Sequence, residues 1–217
     1  MMTIDREAWP ATLVASVPAV IAVLARRPRT GLALGALPLA IALFFRDPDR
    51  MPDRMPLPDD LVVSPADGKV MYAGPAQAGL GPDPTWQQVS IFLSAFDVHI
   101  NRAPYGGAVT EVTYRPGRWL AAYKHESAHL NERTDITVRR EDDTAARVVH
   151  FRQIVGLMAR RVVTRVTPGQ VIRTGERIGL MKFGSRMDVF LPPEVTVVVA
   201  SGERVVAGES LLGRWPR

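Results

Sequence analysis

A chain of 217 residues, 47% of them apolar, is long enough for one domain with its own core plus an appendage. It contains no cysteine, which excludes disulfides, thiolate metal sites and cysteine nucleophiles. The formal charge of +5, carried mostly by arginine, fits nucleic acid or an anionic membrane surface; no aromatic-interleaved basic run, Cys/His finger or RNA-binding motif is present, so nucleic acid is set aside as a partner.

The first elements in chain order are two uncharged apolar runs, residues 9–25 and 31–45, separated by Arg26-Arg27-Pro28-Arg29-Thr30. As helices they would reach roughly 22 to 26 Å, short of the ~30 Å hydrocarbon core of a bilayer. Asp5 and Glu7 weaken a signal-peptide reading, because they offset the basic charge such a leader carries. Two full spans would put the arginines on the side opposite a cytoplasmic domain, against the positive-inside rule. A hairpin dipping into the cytoplasmic leaflet of the cell membrane, with its arginines at the headgroups, satisfies both constraints. Residues 1–45 are therefore read as a monotopic hydrophobic hairpin, with two spans or a buried core hairpin as the other readings. Residues 46–60 follow as a Pro-rich, charged linker, whose prolines bar helix and sheet interiors.

From residue 61 to 217 the chain reads as mainly β. Short β-branched runs bounded by Gly, Pro and Asp occur at Leu61 to Val63, Lys69 to Ala73, Val89 to Leu93, Gly107 to Tyr114, Ile136 to Arg139, Val148 to Gly156 and Arg161 to Val166. Glu141-Asp142-Asp143 reads as a hairpin loop, and Trp119 to Glu132 is the one plausible helix, with a loop as its other reading. A weak repeat relates residues 166–179 to residues 199–213: Gly169 and Gly175 stand six apart in the first copy, Gly202 and Gly208 six apart in the second. Glycines at hairpin corners around short Val/Ile strands are the pattern of a lipoyl-like barrel-sandwich core.

Between the two copies lies Lys182-Phe183-Gly184-Ser185-Arg186. A Gly-Ser pair is ordinarily a turn. If strained, it can react: the Ser185 hydroxyl attacks the unhindered Gly184 carbonyl, the amide becomes an ester, and elimination splits the chain. The dehydroalanine left behind hydrolyses to an N-terminal pyruvoyl group. A rival motif is His125-Glu126-Ser127-Ala128-His129, which on a helix would offer two zinc ligands and a general base, though no clear third ligand stands out. A third reading is a non-catalytic membrane-tethered β domain in which Gly184-Ser185 is only a turn.

Five segments in order, Phe45-Arg46-Asp47-Pro48, Ser64-Pro65-Ala66-Asp67-Gly68, Phe96-Asp97-Val98-His99-Ile100-Asn101-Arg102-Ala103-Pro104, Asn131-Glu132-Arg133 and Phe183-Gly184-Ser185-Arg186, resemble the short bacterial and archaeal form of the phosphatidylserine decarboxylases. The resemblance implies cleavage between Gly184 and Ser185 into a β chain of residues 1–184 and an α chain of residues 185–217. It also implies a covalent pyruvoyl cofactor made from Ser185, whose ketone forms a Schiff base with the amine of a serine phospholipid, and release of CO2 to give the ethanolamine lipid. Acyl and archaeal ether lipids both fit, and a homodimer of processed protomers is implied. By the same resemblance His99 supplies the proton after CO2 departs, Asp67 matches the aspartate of the processing triad, and Arg102 with Asn101 is placed at the substrate. No metal is implied. Larger members of the family carry a second histidine where this chain has Arg102, which cannot act as a general base at neutral pH, so either His99 serves both steps or another group activates Ser185.

Overall fold

The computed structural model describes residues 2–141, 146–158, 161–182 and 184–216. The chain divides into two compact units, Met1–Asp49 and Arg50–Arg217.

The first unit is a helical hairpin closed by a small ribbon. Strand β1 (Met2–Ile4) leads through a 3-10 turn (Arg6–Ala8) into helix α1 (Trp9–Leu24), then helix α2 (Pro28–Phe44) and strand β2 (Arg46–Pro48). β1 and β2 pair antiparallel, Met2 opposite Pro48, which brings the two ends of the hairpin together. Asp5 caps the entry turn by accepting from the Glu7 amide at 3.0 Å. At the tip Arg26 takes φ +58, the left-handed conformation that reverses the chain, and Pro28 opens α2 where its missing N–H costs nothing. Gly31 lets the helices approach: a Cβ there would press on the Val23 side chain. Outward, Leu13, Val14, Val17, Ile21, Leu24, Leu32, Leu37 and Leu39 are all exposed. The two helices begin and end within a residue or three of the apolar runs that anticipated them.

The second unit is mainly β. Its elements are α3 (Met51–Arg54), β3 (Leu61–Val63), β4 (Gly68–Pro75), β5 (Gln87–Leu93), β6 (Ile100–Arg102), β7 (Gly107–Arg115), α4 (Ser127–Leu130), β8 (Arg133–Arg140), β9 (Arg147–Ile154), β10 (Val162–Thr164), β11 (Val171–Ile172), β12 (Arg177–Met181), β13 (Ser185–Leu191), β14 (Thr196–Val197), β15 (Arg204–Val205) and β16 (Leu211–Arg214). A curled antiparallel sheet runs β11-β7-β8-β9-β13-β5-β4-β15, and two three-stranded sheets, β10-β12-β6 and β14-β16-β3, complete the core. β13 lies near the middle of the large sheet, between β9 and β5, and all seven of its residues are buried.

The sequence repeat is a structural repeat. β11 and β15, one from each copy, form opposite edges of the large sheet, and the turn glycines on either side of them all take positive φ: Gly169 (+88), Gly175 (+79), Gly202 (+99) and Gly208 (+75). The likeness extends beyond the copies. The Val63 amide donates to the Pro104 carbonyl and the Arg102 amide to the Pro65 carbonyl, so residues 61–75 and 100–115 are exchanged by the same approximate two-fold relation. Pro52 of α3 lies against both Gly175 and Gly208, where a Cβ at either position would meet its ring.

Two expectations change. The stretch Trp119 to Glu132 is helical only at α4; its polar side chains compete with helix formation, Ser127 Oγ donating to the carbonyls of Ala122 and Lys124 and Asn131 bonding both backbone groups of Leu120. The Pro-rich stretch 46–60 is not wholly irregular, since α3 forms one turn with Pro52 in its first turn and Asp53 Oδ2 accepting from the Arg50 amide at 2.9 Å. In the acidic loop, Asp142 and Asp143 lie outside the described residues, while Glu141 accepts from Arg139 at 2.7 Å.

Candidate active site

Alternation along β13 decides where Ser185 points. Met187, Val189 and Leu191 belong to the main apolar core, and Ser185 continues that face, so its hydroxyl turns inward while Arg186 and Asp188 turn to the other side. Ser185 stands opposite Leu93 of β5 and is fully buried; its Oγ has no hydrogen-bond partner among the described residues. An unpaired buried hydroxyl is costly, and such exceptions concentrate at reactive sites. Immediately before it Gly184 takes φ +62, a conformation that other residues reach only with strain. Phe183 lies outside the described residues.

His99 precedes β6 and is 2% exposed. Its Nδ1 lies 2.9 Å from the Asp97 carbonyl oxygen, which can only accept, so Nδ1 carries the proton and Nε2 is the basic nitrogen of the neutral ring. The His99 carbonyl accepts from the Met181 amide at 3.3 Å, which ties the histidine to the end of β12, three residues before Gly184. The Asp97 carboxylate accepts from the amide and hydroxyl of Ser94 at 2.8 and 2.7 Å and from Arg204, fixing the turn that carries the histidine. Asn101 is fully buried; its Oδ1 accepts from Gln153 Nε2 at 2.8 Å, and Gln153 Oε1 accepts from Thr164 at 2.8 Å. The Asn101 amide nitrogen has no partner among the described residues.

The other two site residues are engaged elsewhere. Arg50 grips both oxygens of the Asp67 carboxylate at 3.2 and 2.9 Å, and the Ala207 amide donates to Oδ1 at 2.8 Å, so the aspartate is not hydrogen-bonded to His99 or Ser185. Arg102, 1% exposed, donates to Asp53 through both terminal nitrogens and to the Gly175 carbonyl at 2.9 Å. A lipid phosphate could reach this guanidinium only by displacing a two-pronged carboxylate. The Asp53 carboxyl feels burial, which pushes its pKa up, but the Arg102 hydrogen bond, the Arg50 amide and the charges of Arg102 and Arg177 prevail and hold it below the usual carboxylate range.

A mostly apolar cavity of about 190 Å³ opens at Gly184, bounded by Phe92, Ala122, Tyr123, Leu157 and Met158. Two residues of the Asn131-Glu132-Arg133 motif hold chain segments next to its lining residues. Asn131 Nδ2 donates to the carbonyls of Leu120 and Val155 at 2.8 Å each, and Glu132 accepts from the Trp119 indole at 3.1 Å. Arg133 of the same motif donates to the His129 carbonyl at 2.8 Å.

His125 lies on the exposed turn before α4 and His129 is exposed within α4, their ring centroids 6.4 Å apart. Among the described residues no third His, Asp or Glu joins them to form a metal site. Partial burial, then the charges of His125, Arg152, Arg133 and Arg186, push the His129 pKa down. Sequence reasoning passed over Arg50, Gln153, Arg204 and Gly156. The first three are long-range partners with no local signal, whereas Gly156 could have been noticed as a glycine directly after a buried strand.

The profile described as phosphatidylserine decarboxylase matches residues 37–213, so the chain is an enzyme of the decarboxylase class, a carboxy-lyase. Proteins named phosphatidylserine decarboxylase proenzyme resemble it over nearly its whole length. That of Paramagnetospirillum magneticum is 40% identical over 213 residues, 96% of this chain and 85% of the relative. That of Azorhizobium caulinodans is 40% identical over 99% of this chain and 90% of the relative, and that of Symbiobacterium thermophilum 42% identical over 99% and 96%. The chain belongs to the phosphatidylserine decarboxylase family.

Proposed function

We propose that this chain is the proenzyme of a self-processing, pyruvoyl-dependent decarboxylase of phospholipid biosynthesis that converts phosphatidylserine to phosphatidylethanolamine and CO2. The observation that carries this reading is the fully buried, unpartnered Ser185 hydroxyl directly after Gly184 at φ +62. Ser185 Oγ adds to the Gly184 carbonyl carbon; the C–N bond breaks, nitrogen takes the proton that oxygen lost, and an ester remains. Loss of the Ser185 α-proton then breaks the Cβ–O bond, releasing Gly184 as a carboxylate and leaving dehydroalanine. Its enamine takes up water and loses ammonia to give the pyruvoyl terminus. No oxidant is needed. His99 Nε2 is the base for Oγ, since His99 Nδ1 is protonated toward the Asp97 carbonyl.

The residues fit the group that results, because position 185 is buried and flanked by the cavity at Gly184. A pyruvoyl group supplies a ketone for the serine amine and a sink for the electrons released with CO2. The chain's own residues do the rest. His99 returns a proton to the carbon that loses CO2, and the Asn101 amide donates to the headgroup. The exposed apolar side chains that line the cavity, Tyr123, Leu157 and Met158, accommodate the lipid tails. The helical hairpin of residues 1–45 serves as a monotopic anchor at the cytoplasmic face of the cell membrane: α1 with its entry turn, Arg6–Leu24, is long and apolar enough to cross at 19 residues, but its partner α2 at 17 is short for a second span; the apolar side chains face outward, and Arg26, Arg27 and Arg29 at the tip suit anionic headgroups. Denaturing electrophoresis of Ser185→Ala tests the reading. One uncut, inactive chain is expected; cleavage of that variant at the same bond would sink it.

A further inference from the structure

β13 and β9 pair with Arg186 opposite Ile154, so two residues further along the ladder Gly184 comes to stand opposite Gly156. The paired register ends at Arg186 and Ile154, and beyond it the Gly184 carbonyl oxygen lies across the gap against Gly156. A Cβ built on Gly156 would overlap the Gly184 carbonyl oxygen, fall 2.8 Å from its carbonyl carbon, and lie 3.3 Å from the Ala122 side chain. Gly156 does not itself need to be glycine for conformational reasons, since its φ is not among the positive values. What the missing side chain makes room for is the carbonyl of the scissile bond. The Asn131 side chain fixes the floor of this slot by donating to the Val155 carbonyl, one residue away.

We propose that Gly156 is a positioning residue for self-cleavage: its bare Cα leaves room for the Gly184 carbonyl oxygen to point at it end-on, which fixes the direction of that carbonyl and so the side from which Ser185 Oγ reaches its carbon. This rests on the self-processing read above. The affected step is the first one, in which the Oγ–C bond forms and the C–N bond breaks; the later elimination does not involve the slot.

The test follows processing of the full-length proenzyme, synthesised in a cell-free reaction, for wild type, Gly156→Ala, Ser185→Ala and the double variant. The double variant reads folding alone, by comparison of its thermal unfolding with that of Ser185→Ala. With fold retained, Gly156→Ala is expected to cleave about 10²-fold more slowly or not at all, and hydroxylamine, which cuts the ester intermediate, is expected to release no fragment from the uncut chain. Cleavage at the wild-type rate would overturn the proposal. So would an accumulating hydroxylamine-sensitive ester, which would move the block to elimination. Failure of the double variant to fold would also overturn it, by making Gly156 a requirement of the fold. If wild type itself never cleaves, the self-processing reading fails instead.

Discussion

Arg102 and Asp53 face each other as a two-pronged ion pair, Nη1 to Oδ1 and Nη2 to Oδ2 at 3.0 Å each. The pair joins β6 of the core to the one-turn helix α3, and Arg177 adds a further contact to Asp53 at 2.9 Å. This gives Arg102 a structural task. Arg102→Ala is expected to destabilise the domain by about 2–4 kcal/mol, because Asp53 loses its partner and a buried volume is vacated. Chemical denaturation checks the loss. Normal stability with a raised KM for lipid would return Arg102 to the substrate.

The two candidates for activating Ser185 separate by mutation. His99→Ala is expected to slow cleavage by the ~10²–10⁴-fold typical of a lost acid-base group. Asp67→Asn is expected to cleave and to lose stability as Arg50→Gln does, since the Asp67 carboxylate is held by Arg50 and the Ala207 amide. An uncut but stable Asp67→Asn chain would restore Asp67 to the processing machinery.

Much of this was legible locally. The β-branched runs became strands within a few residues, and the two apolar runs became α1 and α2, because alternation and hydrophobic length are properties of neighbours in the chain. The glycine spacing disclosed β11 and β15 because positive φ at a corner strongly favours glycine. Partnership was not legible. Asp67 with Arg50, Arg102 with Asp53 and Asn101 with Gln153 are separated by 17, 49 and 52 positions. Nothing in a single sequence says which carboxylate a buried arginine meets. Trp119 to Glu132 could be read as helix or loop, and the side chains of Ser127 and Asn131, which bind nearby backbone, hold the helix to one turn.

His150 makes stability depend on pH. Burial first, then the Arg152 charge, pushes its pKa from 6.5 down to about 4, against the opposing pull of Asp135. The folded ring stays neutral where the unfolded one protonates, so the unfolded chain binds more protons between about pH 6.5 and 4 and stability falls as pH falls through that window. The expected loss is on the order of 2–3 kcal/mol. His150→Gln should flatten this part of the profile, measured by urea midpoints from pH 7 to pH 4.5; an unchanged slope would refute it.

Removing residues 1–45 is expected to release the protein from vesicles and leave cleavage intact, because Gly184 and Ser185 belong to the second compact unit. Flotation in high salt reads the anchor alone, since salt screens the remaining basic attraction. A truncated chain that still floats would contradict the anchor.

Intact-mass analysis of the purified protein tests the central claim most directly. The account predicts two chains: residues 1–184, and a fragment of 33 residues, 217 − 184, whose mass shows a pyruvoyl group in place of Ser185. A single uncut chain of 23.8 kDa, or a short fragment that still begins with an intact serine, would contradict it.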